Sequence, residues 1–151
     1  MQHKPMASQP SLNHTPSFVG AVLNFTPTFF FARLALVSAY LVGGVNKLAN
    51  WHAALAEQMH FGLAPPALWA AITIAVELIG PLLILSGRLV WLGAGMLGVF
   101  TFFAALVANA FWGMPSGPER FEAMNAFFEH MGLVGAFVLV AILTYSERED
   151  G

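Results

Sequence analysis

The sequence predicts an all-α integral membrane protein, a bundle of four transmembrane helices preceded by a disordered N-terminal tail. Three observations predict it. First, 58% of the 151 residues are hydrophobic and 9% are charged, which is more large apolar side chain than a soluble domain of this size can bury. The excess must face lipid. Second, four apolar segments, over residues 29–45, 67–85, 89–111 and 126–145, each approach the roughly 20 residues that cross the hydrocarbon core. Third, these runs show no strand-like alternation. Lipid requires each backbone amide to be bonded within its own segment or inside a closed barrel, and long unalternating runs meet that demand as helices.

The elements follow in order. Residues 1–28 are rich in Ser, Thr, Asn and Gln, and Pro5, Pro10, Pro16 and Pro27 are spaced so that no long helix forms. They read as a tail in which Phe18–Leu23 rests on the membrane surface. The apolar run that follows starts late and carries no small-residue cleavage site, so a removable signal peptide is not expected. Residues 29–145 form one transmembrane domain, and residues 146–151 a short C-terminal tail. Ser86, Gly87 and Arg88 make a tight turn between spans two and three, while residues 46–66 and 112–125 form longer loops on the opposite side. In the first loop Trp51, Leu55 and Met59 recur at helical spacing with Glu57 and His60 opposite them. That pattern predicts a short interfacial helix ended by Pro65 and Pro66. Lys4, Arg33, Arg88 and Arg148 lie on the side of the termini, against Lys47 and Arg120 on the long-loop side. The positive-inside rule then places both termini in the cytoplasm.

Several function classes are excluded. A net charge of −2 without a basic patch leaves no footprint for nucleic acid. A chain with no cysteine holds no iron-sulfur cluster, thiolate metal site or redox thiol pair of its own. Of the five histidines only His130 lies near a span, which argues against bis-histidine haem. His52, His60 and His130 match no metal-ligand spacing, so no metal site is expected. Neither a nucleophile triad nor a phosphate-cradling glycine loop is present.

The informative residues are those that are expensive to keep in hydrocarbon. Glu77 stands near the middle of span two, in Ala-Val-Glu-Leu-Ile-Gly-Pro, where an isolated carboxylate needs a partner or a proton. Pro81, four residues on, cannot donate the helical hydrogen bond that the Glu77 carbonyl expects, and Gly80 removes bulk beside it. This reads either as a small polar pocket for a proton or ligand headgroup, or as a structural bend with Glu77 bonded to its neighbours. At about 100° per residue, Arg33, Tyr40, Gly44 and Lys47 share one polar stripe of span one, within about 60° of one another. Gly43 and Gly44 let another helix approach, and Lys47 is the expected partner of Glu77. Arg33, near a span end, also reads as a snorkelling side chain. In span three Ala94, Gly98, Thr101, Ala105 and Asn109 form a narrow helix-contact stripe ending in a polar group. In span four Glu129 suits a helix start, while His130 stands at the outer boundary as a candidate proton carrier. The candidate set is therefore Glu77 and Lys47 for chemistry, with Arg33, Tyr40, Gly44, Asn109 and His130 for ligand binding.

Four stretches, Arg33, Gly-Gly-Val-Asn-Lys-Leu at 43–48, Glu-Leu-Ile-Gly at 77–80 and Phe-Phe-Glu-His-Met-Gly-Leu-Val-Gly at 127–135, resemble in order and spacing the DoxX family of small four-helix bacterial membrane proteins. Arg33, Gly44, Lys47 and Glu77 match the family pattern. Asn109 stands where His is common, and Glu129 and His130 where a basic residue followed by Asn is common. The resemblance implies the bacterial cytoplasmic (inner) membrane, and subunits of thiosulfate-oxidising, quinone-reducing complexes or of oxidative-stress complexes. On that reading a bound quinone or a partner subunit carries the electrons, and Glu77 and Lys47 manage protons or an oxyanion. Two other readings stand beside it: a non-catalytic anchoring subunit that binds another protein or a second copy, and a small-molecule or ion transporter. Four short spans without inverted repeats leave the last little room for alternating access.

Overall fold

Prolines set where three of the long helices begin. Pro27, Pro66 and Pro118 occupy their first turns, where a missing backbone N–H costs nothing because no carbonyl waits for it. In the computed structural model, which describes residues 15–149, six helices follow in order. They are α1 (Ser17–Leu23), α2 (Thr26–Ala49), α3 (Trp51–His60), α4 (Pro66–Leu85), α5 (Val90–Ala108) and α6 (Pro118–Glu149), with a 3-10 turn at Phe111–Gly113 between the last two. Four of them, α2, α4, α5 with its 3-10 extension, and α6, are long and apolar enough to cross a membrane.

The helices pack in sequence, α2 on α4, α4 on α5 and α5 on α6. The core between them is Val37, Tyr40, Ile84, Val90, Ala94, Leu97 and Phe137. Tyr40 and Phe137 meet edge to face at 5.6 Å between ring centroids, which joins α2 to α6 across the bundle. The outside is equally apolar: Leu82 and Val99 are each 60% exposed, and Phe103 and Leu139 stand out beside them. A surface of that kind is stable only against acyl chains, so the protein is a multi-pass membrane protein.

Each span differs somewhat from the apolar segment that signals it. The first begins at Thr26 and runs to Ala49, continuous through Gly43 and Gly44 because packing against α4 holds the glycines helical. The fourth helix starts at Pro118 and continues to Glu149, so much of the expected loop 112–125 and the first residues of the expected C-terminal tail are helical. Its 32 residues rise about 48 Å, beyond the roughly 30 Å of hydrocarbon, and the polar turns at its ends stand outside the lipid. Of the tail expected over residues 1–28, residues 1–14 lie outside the described residues, while Phe18–Leu23 falls within α1. The turn between α4 and α5 uses left-handed backbone at Gly87 and Leu89, φ 70° and 50°.

One buried hydroxyl pair fixes the register of α2 against α5. Thr101 Oγ1 donates to the Leu97 carbonyl at 2.6 Å, which uses its proton, so Tyr40 must be the donor in the 2.6 Å contact between the two hydroxyls. Tyr40→Phe is therefore expected to cost about 1 kcal/mol, since Thr101 keeps a partner. Thr101→Val, which strands the Tyr40 hydroxyl, is expected to cost about twice as much. Thermal melting in detergent checks the order, and equal losses would contradict this donor assignment.

Candidate functional site

The helix that begins at Thr26 carries Tyr40, Gly44 and Lys47 along one face at steps of four and three, so all three turn inward. Tyr40 and Gly44 are buried, and Lys47 follows at the outer end of the same stripe. On α4 the matching inward stripe is Ala70, Thr73 or Ile74, Glu77 and Gly80 or Pro81. The two stripes meet closely. A Cβ added to Gly44 would lie 2.9 Å from Leu78 Cδ2 and 3.1 Å from Glu77 Cβ, and one added to Gly43 3.3 Å from Glu77 Oε2. The glycines thus let the backbone of α2 lie directly over Glu77.

Lys47 Nζ donates to both carboxylate oxygens of Glu77, at 3.0 and 3.1 Å. The Glu77 side chain is 8% exposed and that of Lys47 16%. A second carboxylate, Glu57 on α3, approaches Lys47 Nζ at 3.7 Å with 42% of its side chain exposed. Asn50 positions α3, its side chain capping the helix by accepting from the Ala53 N–H at 3.1 Å. The result is a line of charge from the interface (Glu57) through Lys47 to a carboxylate inside the bundle. Two carboxylates and one ammonium leave one negative charge over, which a single proton neutralises. Such a site can exchange a proton, and the third N–H of Lys47 is available to an acceptor.

Gln58, beside Glu57 on α3, is 4% exposed as a residue, and among the described residues no side-chain nitrogen or oxygen is both buried and without a hydrogen-bond partner. Gln58 lies on the face of α3 that packs toward α4 and α2. Trp51 and Met59 are exposed on the periphery of the same helix, as an interfacial element requires.

The structure places the other candidates elsewhere. Arg33 is partly buried at the opposite end of α2, where its Nη2 donates to Thr144 Oγ1 of α6 at 3.2 Å. Asn109 caps the end of α5, its N–H on the Ala105 carbonyl and its own carbonyl accepting from Phe111. His130 Nδ1 pairs with the Ala126 carbonyl at 2.6 Å, one turn back on α6. Among the described residues no hydrogen bond or ion pair joins Asn109 or His130 to Lys47 and Glu77. Glu57 and Gln58 are what sequence reasoning missed. The 3.6-residue period places Glu57 on the polar face of an interfacial helix, and nothing in that pattern tells which part of the face turns toward Lys47.

Comparison with known proteins agrees with this architecture. The DoxX family profile matches residues 28–110, more than half of the chain, which runs from the first turn of α2 through the end of α5 and contains Arg33, Tyr40, Gly44, Lys47 and Glu77. The inner membrane protein YphA of Escherichia coli (strain K12) is similar, 26% identical over 111 residues, 74% of this chain and 79% of YphA. No solved structure matches. With that profile matching more than half of its length, over most of the first three spans, the chain belongs to the DoxX family.

Proposed function

We propose that the protein is an inner-membrane redox component that works with quinone, and that Glu57, Lys47 and Glu77 carry protons between the interface and the bundle interior. The observation that carries this reading is the continuity of the three groups: Glu77 is nearly buried, yet Lys47 links it to a carboxylate that reaches water. Quinone supplies two-electron, two-proton acceptor chemistry when bound. The residues present suit its carbonyls, because the third Lys47 N–H and the Gln58 amide are donors and the surroundings are apolar. With no cysteine of its own, the chain relies on a partner subunit to deliver electrons. The inner-membrane location rests on the similarity to YphA. The bias of Lys and Arg puts both termini in the cytoplasm and the Lys47 cluster on the far side.

A second reading is an anchoring subunit, and one observation favours it: the same ion pair, with Glu57, ties α2, α3 and α4 together and so has a purely structural use. The two readings separate on a variant that folds without charge. Purified protein in detergent, titrated with decylubiquinone and followed by tryptophan fluorescence, is expected to show saturable binding. Binding is expected to weaken at least tenfold in Lys47→Met/Glu77→Leu, at a melting temperature close to that of the wild type. Equal affinity in that folded variant removes the quinone reading and leaves the anchor.

A further inference from the structure

A second feature lies away from the ion pair, on the lipid side of α5 and α6. A groove of about 420 Å³ runs between these helices, walled by Trp91, Gly95, Gly98 and Phe103 of α5 and by Val138 and Ile142 of α6. From Trp91 to Phe103 the helix rises about 18 Å, close to the ~15 Å of one leaflet's hydrocarbon. A smaller hollow shares Trp91 and Ala141 with the groove and is closed by Thr144 and Tyr145. The groove therefore ends at a polar threshold.

Arg33 stands at that threshold. Arg33 donates to Thr144 at 3.2 Å, and a Cβ on Gly87 would lie 3.8 Å from Arg33 Nη1. The guanidinium thus sits between the end of α6 and the α4–α5 turn, which also carries the exposed Arg88. The groove floor has its own signature. A Cβ at Gly95 would meet nothing within 4 Å, and one at Gly98 only Phe137 Cβ at an ordinary 3.7 Å. A glycine in a helix interior costs about 1 kcal/mol relative to alanine, and here packing within the bundle does not require it, unlike Gly80 and Gly93. Bare backbone at these positions leaves space for something outside the chain.

We propose that this groove binds an anionic glycerophospholipid of the leaflet on the Arg33 side, one acyl chain lying between α5 and α6 and the phosphate resting at Arg33, Arg88 and Thr144. The match of groove length to a single leaflet and the positive charge at one end select a lipid over a second copy of the chain. A helix from another copy would run the full depth of the bilayer and has no need of charge at one end. Basic sites between transmembrane helices near the headgroups recognise anionic lipid in this way.

The test is native mass spectrometry of the protein purified in mild detergent and supplied with phosphatidylglycerol or phosphatidylcholine of equal chain length. The wild type is expected to retain one phosphatidylglycerol per chain and at least tenfold less phosphatidylcholine. Gly95→Leu, which fills the groove without touching the bundle, is expected to lose both lipids with an unchanged melting temperature. Arg33→Gln and, separately, Arg88→Gln are expected to erase the preference between headgroups; the second keeps the test alive should the first fold poorly. Glycerol phosphate added alone at millimolar concentration is expected neither to bind nor to displace the lipid, which distinguishes a lipid site from a free phosphate site. Equal retention of the two lipids, lipid adducts insensitive to Gly95→Leu, or a dimer that Gly95→Leu splits with no lipid held would each overturn the proposal.

Discussion

Glu77→Leu alone is expected to lower the stability of the detergent-solubilised protein by about 3 kcal/mol, whereas Lys47→Met/Glu77→Leu returns it to within about 1 kcal/mol of the wild type. The reason is the asymmetry of buried ion pairs. Removing one partner strands the other in a low dielectric, which typically costs about 3–5 kcal/mol, while replacing both with apolar groups of similar volume is often neutral. Here the stranded group is Lys47, which Glu57 at 3.7 Å still partly compensates, so the lower end of that range applies. The cost in Lys47→Met is expected to be smaller, because the Glu77 carboxyl loses its charge by taking one proton. The order of melting temperatures, Glu77→Leu lowest and the double variant close to wild type, checks this. A double variant as unstable as the worse single would show that the pair does not behave as a unit.

Gly93→Ala is expected to be comparably severe for a different reason. A Cβ at position 93 would lie 2.6 Å from the Gly80 carbonyl oxygen and 2.9 Å from Leu83 Cβ. The first of these is backbone and cannot swing aside, so α4 and α5 must separate. On the α4 side the fit is equally tight, since a Cβ on Gly80 would fall 2.8 Å from Leu97 Cγ. Overpacking of this kind costs about 1–3 kcal/mol, and the loss is expected at the upper end because a helix rather than a side chain has to move. Gly95→Ala, two residues away with open space around it, serves as the control and is expected to be neutral or slightly stabilising. Melting temperatures of the two variants in detergent make the comparison, and equal melting would contradict the close approach of α4 and α5.

The fold was legible because lipid imposes a length on each span. A run of apolar residues near position 29, 67, 89 or 126 has little alternative to a crossing helix. What was not legible is where those helices end. Hydropathy reports only the part of a helix that lies in hydrocarbon, so the apolar signal of α6 begins near Ala126 although its helix starts at Pro118, whose fixed φ suits a first turn in water. The Lys47 and Glu77 contact followed from a simple constraint, that a mid-span carboxylate needs a partner and that a glycine pair beside the lysine opens the way. Glu57 reads in the sequence only as part of the polar face of an interfacial helix, because its approach to Lys47 depends on how α3 folds back against α2 and α4, a tertiary fact with no periodic trace. The same holds for the glycines. Gly80 and Gly93 look no different in sequence from Gly95 and Gly98, yet the first pair seats two helices against each other and the second pair faces out of the bundle.

Glu77 is held inside the bundle against Lys47 and away from acyl chains. Dicyclohexylcarbodiimide, which enters the bilayer and modifies carboxyl groups that face lipid, tests this directly in intact membranes when the product is read by peptide mass spectrometry. Glu77 is expected to stay unmodified in the wild type and to react in Lys47→Met, where its partner is gone. Rapid modification of Glu77 in the wild type would contradict its enclosure between α2 and α4.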